Sequence, residues 1–185
     1  MNLTDIIQKA FEIGTIQSTF EMTGFLTLVK DVIQPENILE IGTHAGGMFY
    51  ALDVISKPGL RISIDIPWEG QEHAYEIANL RGTMTHAKWI VGNAHDESTK
   101  QMLNETLNGQ KLDLIFIDAD HTYEGGQKHF EMYKSFVKEG GYIGFHDTVN
   151  GWPCGKYYDT LKPLYPHWDF IDDPSCWYGI GVIQI

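Results

Sequence analysis

Apolar residues recur at helical spacing twice before the chain turns to short, nearly unbroken apolar runs. Leu3, Ile6, Ile7 and Ala10 share one face and predict a short amphipathic helix at the start of the chain. Met22, Phe25, Leu26, Val29, Val32 and Ile33 form a longer stripe, ended by Pro35, which has no N–H to continue the ladder. Beyond that proline the pattern changes. Apolar runs at 37–41, 61–65, 88–91, 112–118 and 141–146 read as strands, with helical stretches between them at 45–57, 70–80, 97–108 and 125–138. The last of these helices carries Phe130, Tyr133, Phe136 and Val137 on one face. Strands that are apolar on both sides and alternate with helices predict an α/β fold, a parallel sheet covered on both faces.

The character shifts again at Pro153–Gly155. After a helix near 156–163, runs at 167–171 and 179–185 read as two strands joined through an Asp-Asp-Pro-Ser turn region. No crossover helix fits between them, so they should be antiparallel. The expectation is one seven-stranded, mainly parallel sheet with an antiparallel C-terminal strand and helices on both faces, folded as a single domain over 1–185. The two N-terminal helices form a cap over about 1–35.

Composition narrows the function classes. At 185 residues the chain is large enough to bury roughly 70% of its unfolded surface. A net charge of −12 with no basic run argues against nucleic acid, which needs a basic footprint. Cys154 and Cys176 form no Cys-x-x-Cys pair, so a reducing, cytoplasmic setting is expected. The first ten residues contain Asp5 and no long apolar core, which predicts neither signal peptide nor membrane span. A homo-oligomer is left open.

The chemistry-bearing positions fall at the C-terminal ends of the predicted strands, the edge where open α/β sheets bind ligands. Residues 38–47 read Ile-Leu-Glu-Ile-Gly-Thr-His-Ala-Gly-Gly, a strand running into a glycine-rich turn and a helix. Glycines let the backbone approach a ligand, and the helix start offers unpaired N–H groups. Glu40 stands where a phosphate loop would not want a carboxylate, and so favours a nucleoside with an amino-acid tail over a dinucleotide. Asp65 can accept both hydroxyls of a ribose, against the common alternative of a strand-end cap. Asn93-Ala94 sits where an adenine amino group would be read, although Gly-Asn is also a frequent turn. Trp68 is a candidate to stack on the base, against the commoner fate of core packing. The candidate cofactor-binding set is Glu40, Gly42, Thr43, Gly46, Gly47, Asp65, Ile66, Asn93, Ala94 and Asp118.

The densest cluster is Asp118-Ala-Asp120-His121-Thr-Tyr-Glu124, with His146-Asp147 closing the next strand. So many charges are costly to gather unless something neutralises them. A divalent cation does so, and oxygen ligands suit Mg²⁺, Mn²⁺ or Ca²⁺, while His146 brings Mn²⁺, Fe²⁺ or Zn²⁺ into range. The candidate ligands are Asp118, His146 and Asp147. The competing reading is a hydrogen-bonded cap network open to water. His121 can take a proton near neutral pH and is, with Asp118, the candidate catalytic residue. His44 lies inside the glycine turn, whereas His73, His86, His95, His129 and His167 form no sequence-local ligand set.

These residues resemble a known family. Glu40-x-Gly42-x-x-x-Gly46, the strand-end Asp65 and the stretch from Asp113 to Asp147 are similar to class I S-adenosylmethionine-dependent methyltransferases. The blocks Leu114-Ile-Phe-Ile-Asp118-Ala-Asp120-His121 and Lys138-Glu-Gly140-Gly141-Tyr-Ile-Gly-Phe-His146-Asp147 resemble small bacterial enzymes grouped with catechol O-methyltransferase-like and cephalosporin-hydroxylase-like proteins. The likeness covers about residues 36–185 and implies a Rossmann-like sheet. It implies Asp118 as a metal ligand, His121 as base, and His146-Asp147 as the ligand pair after the fifth strand. His146 departs from the family's usual carboxylate, and no long insertion defines an acceptor pocket. The implied activity is O-methylation of a small hydroxylated molecule, a sugar or a phenol, using S-adenosyl-L-methionine with a divalent metal (Mg²⁺, Mn²⁺ or Ca²⁺). An NAD-dependent oxidoreductase is opposed by Glu40 and by the spacing of Gly42, Gly46 and Gly47. A metal-dependent hydroxylase or hydrolase using Asp118, His121, His146 and Asp147, and a non-catalytic nucleoside-binding module, are the remaining alternatives.

Overall fold

Alternation along the central strands divides the interior into two cores. The computed structural model describes residues 1–66, 74–149, 151–173, 175 and 178–185. Its elements in chain order are α1 (Leu3–Ile13), α2 (Thr19–Leu28), β1 (Ile38–Ile41), α3 (Gly47–Ile55), β2 (Arg61–Asp65), α4 (Ala74–Thr83) and β3 (Lys88–Val91). Then follow α5 (Glu97–Leu107), β4 (Leu112–Ile117), α6 (Tyr123–Tyr133), β5 (Val137–Phe145), α7 (Pro153–Leu161), β6 (His167–Phe170) and β7 (Ile180–Gln184). The strands form one seven-stranded sheet in the order β3-β2-β1-β4-β5-β7-β6. All neighbours are parallel except β7, which runs antiparallel to both β5 and β6.

Leu39, Ile41, Ile115, Ile117, Ile143 and Phe145 face α5, α6 and α7, whose Leu103, Phe130, Tyr133 and Tyr158 complete that core. Ile38, Leu114, Phe116 and Tyr142 face the opposite way, against Ile7, Met22, Phe25 and Leu52 of the first three helices. Phe25 stacks on Phe116 at 5.1 Å between ring centroids, joining the N-terminal cap to the sheet centre. The same period of two places Glu40 on the cap side, beside Ile38. Thus the glutamate of the glycine motif lies beneath α1 and α2.

The helical cap departs from a plain stripe at its end. Five residues, Val29–Ile33, form a π-helical turn closed by the Gln34 N–H on the Val29 carbonyl at 2.7 Å. The wider turn shifts the phase, so Val32 is 57% exposed while Met22, Phe25, Leu26 and Val29 are fully buried. A second departure lies after α6. The helix expected to run to 138 stops at Tyr133, a 3₁₀ turn follows at Lys134–Phe136, and Val137 opens β5 by pairing with Leu112. Gly140, at φ +75°, kinks that strand so that Val137 and Tyr142 both pair with β4. Residues 70–73 of the expected fourth helix, Trp68 with its stacking role, His73 and Cys176 lie outside the described residues.

Asp113 sits at the register shift between Leu112 and Leu114 and ties three elements together. Its Oδ2 accepts the N–H groups of Glu36 (2.8 Å) and Asn37 (2.7 Å) at the entry to β1, and Oδ1 pairs with Lys138 of β5. Burial pushes its carboxyl up, but the Lys138 hydrogen bond and the two backbone donors outweigh this and hold it below the ordinary 3.8. A carboxylate with a lowered folded-state pKa contributes stability that is present above the ordinary value and lost as pH falls. Asp113→Ala should therefore cost about 1–3 kcal/mol near neutral pH. Urea titrations over a pH series should show the gap to wild type closing as the pH drops below about 4; a gap independent of pH would remove the ionised carboxylate as its source.

Candidate functional site

The order of strands reverses between β1 and β4, and the crevice beyond their ends holds the site. Two backbone hydrogen bonds extend the ladders into the loops: Gly42 N–H to Ile64 O at 2.9 Å, and Asp118 N–H to Ile41 O at 2.8 Å. The two loops consequently lie against each other. A Cβ at Gly42 would overlap the Asp118 carbonyl oxygen, and Gly42 also holds φ +84°. His44 (φ +52°) and Gly46 (φ +96°) complete the turn with left-handed backbone, and Gly46 N–H closes it on the Thr43 carbonyl at 2.8 Å.

Asp65 holds this turn from β2. Its Oδ2 accepts the N–H groups of Thr43 (2.8 Å) and His44 (3.0 Å), and its Oδ1 accepts that of Ile66 (2.7 Å). The capping role weighed from the sequence is therefore present, and with two acceptor sites per oxygen the carboxylate keeps one free. Asp65 and Ile66 line a cavity of about 390 Å³, together with Gly42, Asn93, Ala94 and Asp118. Asn93 Oδ1 accepts the His95 N–H at 2.9 Å, and the Ala94 carbonyl accepts the Tyr133 hydroxyl at 2.7 Å, which fixes the loop after β3. Gly46 and Gly47 do not line this cavity. Gly46 packs beneath Leu80, and Gly47 donates its N–H to the Gly14 carbonyl at 3.0 Å.

A second recess, only about 10 Å³, adjoins the cavity, with Gly42, His44 and Asp118 bordering both. Glu40, Thr43 and Gly47 form its floor side, and Thr15 and Gln17 of the α1–α2 linker cover it. Glu40 is 1% exposed, and its Oε2 has no hydrogen-bond partner among the described residues. Burial first, then the charges of Asp118 and Asp65, raise its carboxyl well above the ordinary 4.5, with the Thr43 hydroxyl opposing only in part. A buried carboxyl of this kind calls for a donor.

Past β4 and β5 the charged cluster splits into an inner and an outer half. His146 is inside, 1% exposed, with Nδ1 at 3.2 Å from both Asp118 Oδ1 and Asp147 Oδ1, and Nε2 at 3.6 Å from Glu21 Oε1. Burial alone would lower its pKa, but the charge and hydrogen bond of Asp118, then Glu21 and Asp147, raise it to about 10. His121 is outside, half exposed, with Nδ1 at 2.5 Å from Asp147 Oδ2. That hydrogen bond raises its pKa against the effect of burial. Burial pushes Asp118 up, yet the nearby His146, the His121 charge and a Gln17 hydrogen bond hold it below the ordinary value.

Asp118, His121 and Asp147 each offer one ligand atom within 4.8 Å of the others, the one such group among the described residues. His146, expected as a ligand, is not in it: its ring nitrogens face the carboxylates of Asp118, Asp147 and Glu21. His121, expected as base, has the better placement for either role.

Several participants were not read from the sequence. Glu21 is fully buried and caps α2, its Oε2 accepting the Ser18 N–H at 2.5 Å, while Oε1 faces His146. The Ser18-x-x-Glu21 spacing announces the cap; nothing local announces the second oxygen's partner. His95 and His129 line the cavity wall with ring centroids 4.2 Å apart. Burial, then the neighbouring His95, lowers the pKa of His129 to about 4.

Residues 39–148 match the methyltransferase-domain family. The chain belongs to that family. The matched stretch of this methyltransferase domain runs from β1 to just past β5, so it contains every site residue expected from the sequence but neither Gln17 nor Glu21. The domain is 30% identical over 147 residues to Tapetum-specific methyltransferase 1 of Arabidopsis thaliana, covering 77% of this chain and 60% of that protein. It spans about half the length of other curated relatives that it matches. Among solved structures, an O-methyltransferase from Bacillus cereus in complex with SAH superposes with a TM-score of 0.67 at 17% identity, over 99% of this chain and 90% of that one. The O-methyltransferase TomG from Streptomyces achromogenes, in complex with SAM, gives 0.68 at 15% identity over 98% and 89%. These two likenesses establish the common fold.

Gly42→Ala and Gly109→Ala separate backbone strain from steric overlap. Both positions have φ near +84° (+84° and +83°), but a Cβ at Gly109 meets nothing within 4 Å. Gly109→Ala should cost only the left-handed penalty, about 1–2 kcal/mol. Gly42→Ala should cost at least about 2 kcal/mol more, or abolish folding. Equal midpoints in urea would show that the loops from β1 and β4 do not need their close approach.

Proposed function

We propose that this protein is an S-adenosyl-L-methionine-dependent methyltransferase that acts on an oxygen of a small hydroxylated acceptor, a sugar or a phenol. The observation that carries this reading is the double position of Asp118. It borders the cavity that Gly42, Asp65 and Asn93 line, and it belongs to the group formed with His121 and Asp147. Donor and acceptor sites thus meet at one carboxylate. The cofactor-bound relatives with this fold support the choice of ligand.

The residues fit the cofactor. Gly42 borders the cavity, Asp65 keeps an acceptor position for a ribose hydroxyl, and Glu40 has a buried oxygen lacking a donor among the described residues. Asn93 and Ala94 border the end left for the base. Bound there, S-adenosyl-L-methionine supplies an electrophilic methyl group on a sulfonium. A pyrophosphate, by contrast, would bring negative charge towards Glu40, which disfavours a dinucleotide.

On the acceptor side, His121 gives Nδ1 to Asp147 and is left with Nε2 to accept a proton from the acceptor hydroxyl. Asp147 fixes the ring and stabilises the imidazolium that results. Asp118 and Asp147 are also the carboxylates that would hold a divalent cation, with His121 beside them as the base, and their oxygens suit Mg²⁺ or Mn²⁺. When bound, such a cation would make the acceptor hydroxyl more acidic. His146 sits between both carboxylates, its Nδ1 3.2 Å from each, and offsets their mutual repulsion. Half-exposed His121 leaves the acceptor an open approach from solvent.

Calorimetry with S-adenosylhomocysteine tests the reading directly. Wild type should bind, and Asp65→Ala should weaken binding by about 1–3 kcal/mol through loss of charge-assisted hydrogen bonds. Unchanged affinity in the folded variant would take Asp65 out of the site. With an acceptor in hand, His121→Ala should reduce turnover by roughly 10²- to 10⁴-fold while S-adenosylhomocysteine and Mn²⁺ affinities hold. If Mn²⁺ affinity falls in step with turnover, His121 is a metal ligand and the proton goes elsewhere.

A further inference from the structure

We infer that Gln17 is a displaceable plug: its carboxamide fills the place that the amino-acid group of the cofactor takes, and it swings out when that group enters. The inference rests on the cofactor reading above and adds to it a residue outside the family-matched stretch.

The large cavity has room for a nucleoside, but the recess beside it does not have room for an ammonium and a carboxylate. At about 10 Å³ it has space for about one water molecule, far less than an ammonium and a carboxylate need. What fills it is Gln17, only 3% exposed, on the linker between α1 and α2. Its Nε2 donates to Asp118 Oδ2 at 2.6 Å, and its Oε1 accepts from the Thr15 hydroxyl. Across the recess Glu40 Oε2 is buried with no donor among the described residues. The walls therefore present two carboxyl groups, and Gln17 satisfies only one of them.

This pattern suits a stand-in. A carboxamide N–H₂ offers Asp118 the kind of donor that an ammonium would offer, without charge and without reaching Glu40. An α-ammonium has three donors and a full positive charge, enough to serve both carboxyl groups. The linker can yield without unfolding a core, because Gln17 lies between two separately capped helices, α1 capped by Asn2 and α2 by Ser18. The neighbouring Gly14 anchors the linker to Gly47 at 3.0 Å and marks where the movement stops. A nucleoside with no amino-acid group needs only the large cavity and leaves Gln17 in place.

The test compares two ligands that share nucleoside and thioether and differ in the amino-acid group: S-adenosylhomocysteine and 5′-methylthioadenosine. Isothermal calorimetry is run on wild type and Gln17→Ala. Removing the plug removes the need to break its hydrogen bond to a charged group, so Gln17→Ala should bind S-adenosylhomocysteine about tenfold tighter. Affinity for 5′-methylthioadenosine should change by less than about twofold. If Gln17→Ala does not fold, Gln17→Ser, which keeps a short polar side chain, carries the same comparison. An unchanged or weaker S-adenosylhomocysteine affinity overturns the plug and makes Gln17 a spectator or a direct contact. A wild type that binds S-adenosylhomocysteine with no change in the variant's ligand ratio leaves the methyltransferase reading standing and removes only the plug. A wild type that binds neither ligand overturns both.

Discussion

The closeness of two loops at the centre of the sheet is the constraint from which the site follows. β1 and β4 run side by side and their hydrogen bonding continues past the strand ends, so Gly42 comes to rest against the Asp118 carbonyl. Only a residue without a Cβ fits that contact. From it come the placement of Asp118 at the crevice mouth and the turn that Asp65 then holds through two backbone N–H groups, those of Thr43 and His44. The nucleoside-sized cavity opens on one side of this contact and the charged cluster on the other.

Charge is the second organising force. Glu21, Glu40, Asp65, Asp118 and Asp147 converge on a small volume, and bare carboxylates at this depth would repel one another strongly. The protein answers in two ways. His146, enclosed by Glu21, Asp118 and Asp147, supplies a buried positive charge to one group of them. Glu40 instead has its carboxyl pushed up by burial and by its acidic neighbours. The first arrangement is complete within the fold; the second leaves Glu40 Oε2 without a donor among the described residues.

Periodicity carried most of the architecture. The central strands sit where runs of Ile, Leu, Val and Phe placed them, because a strand buried on both faces has few other ways to be written, while the edge strands β3 and β6 are partly exposed and carry a weaker pattern. The misses are local: Val137 left the helix for β5 because a glycine pair further on permits a kink, and Val32 left its stripe because a π turn changed the helical phase. In the site, Glu40, Gly42, Asp65, Asn93, Asp118 and Asp147 could be read because each lies at or just past the C-terminal end of a strand. His146 also follows a strand, yet its ring turns inwards, and sequence position says nothing about which way an imidazole faces. Gln17 and Glu21 carry no local signal of a role in the site, and His95 and His129 form no sequence-local set, because their partners are far away along the chain, as with Gln17 and Asp118, 101 positions apart.

Asp118 has two oxygens, and the fold commits each of them: one to Gln17, the other to His146. The recess under the N-terminal cap and the mouth near His121 therefore draw on a single carboxylate. Two events that use one group are thermodynamically coupled, whatever the route between them. By whatever factor occupation of the recess alters affinity at the mouth, occupation of the mouth must alter affinity in the recess by the same factor. Reciprocity of this kind needs no moving domain and no second subunit, since a shared pair of lone-pair-bearing atoms is enough.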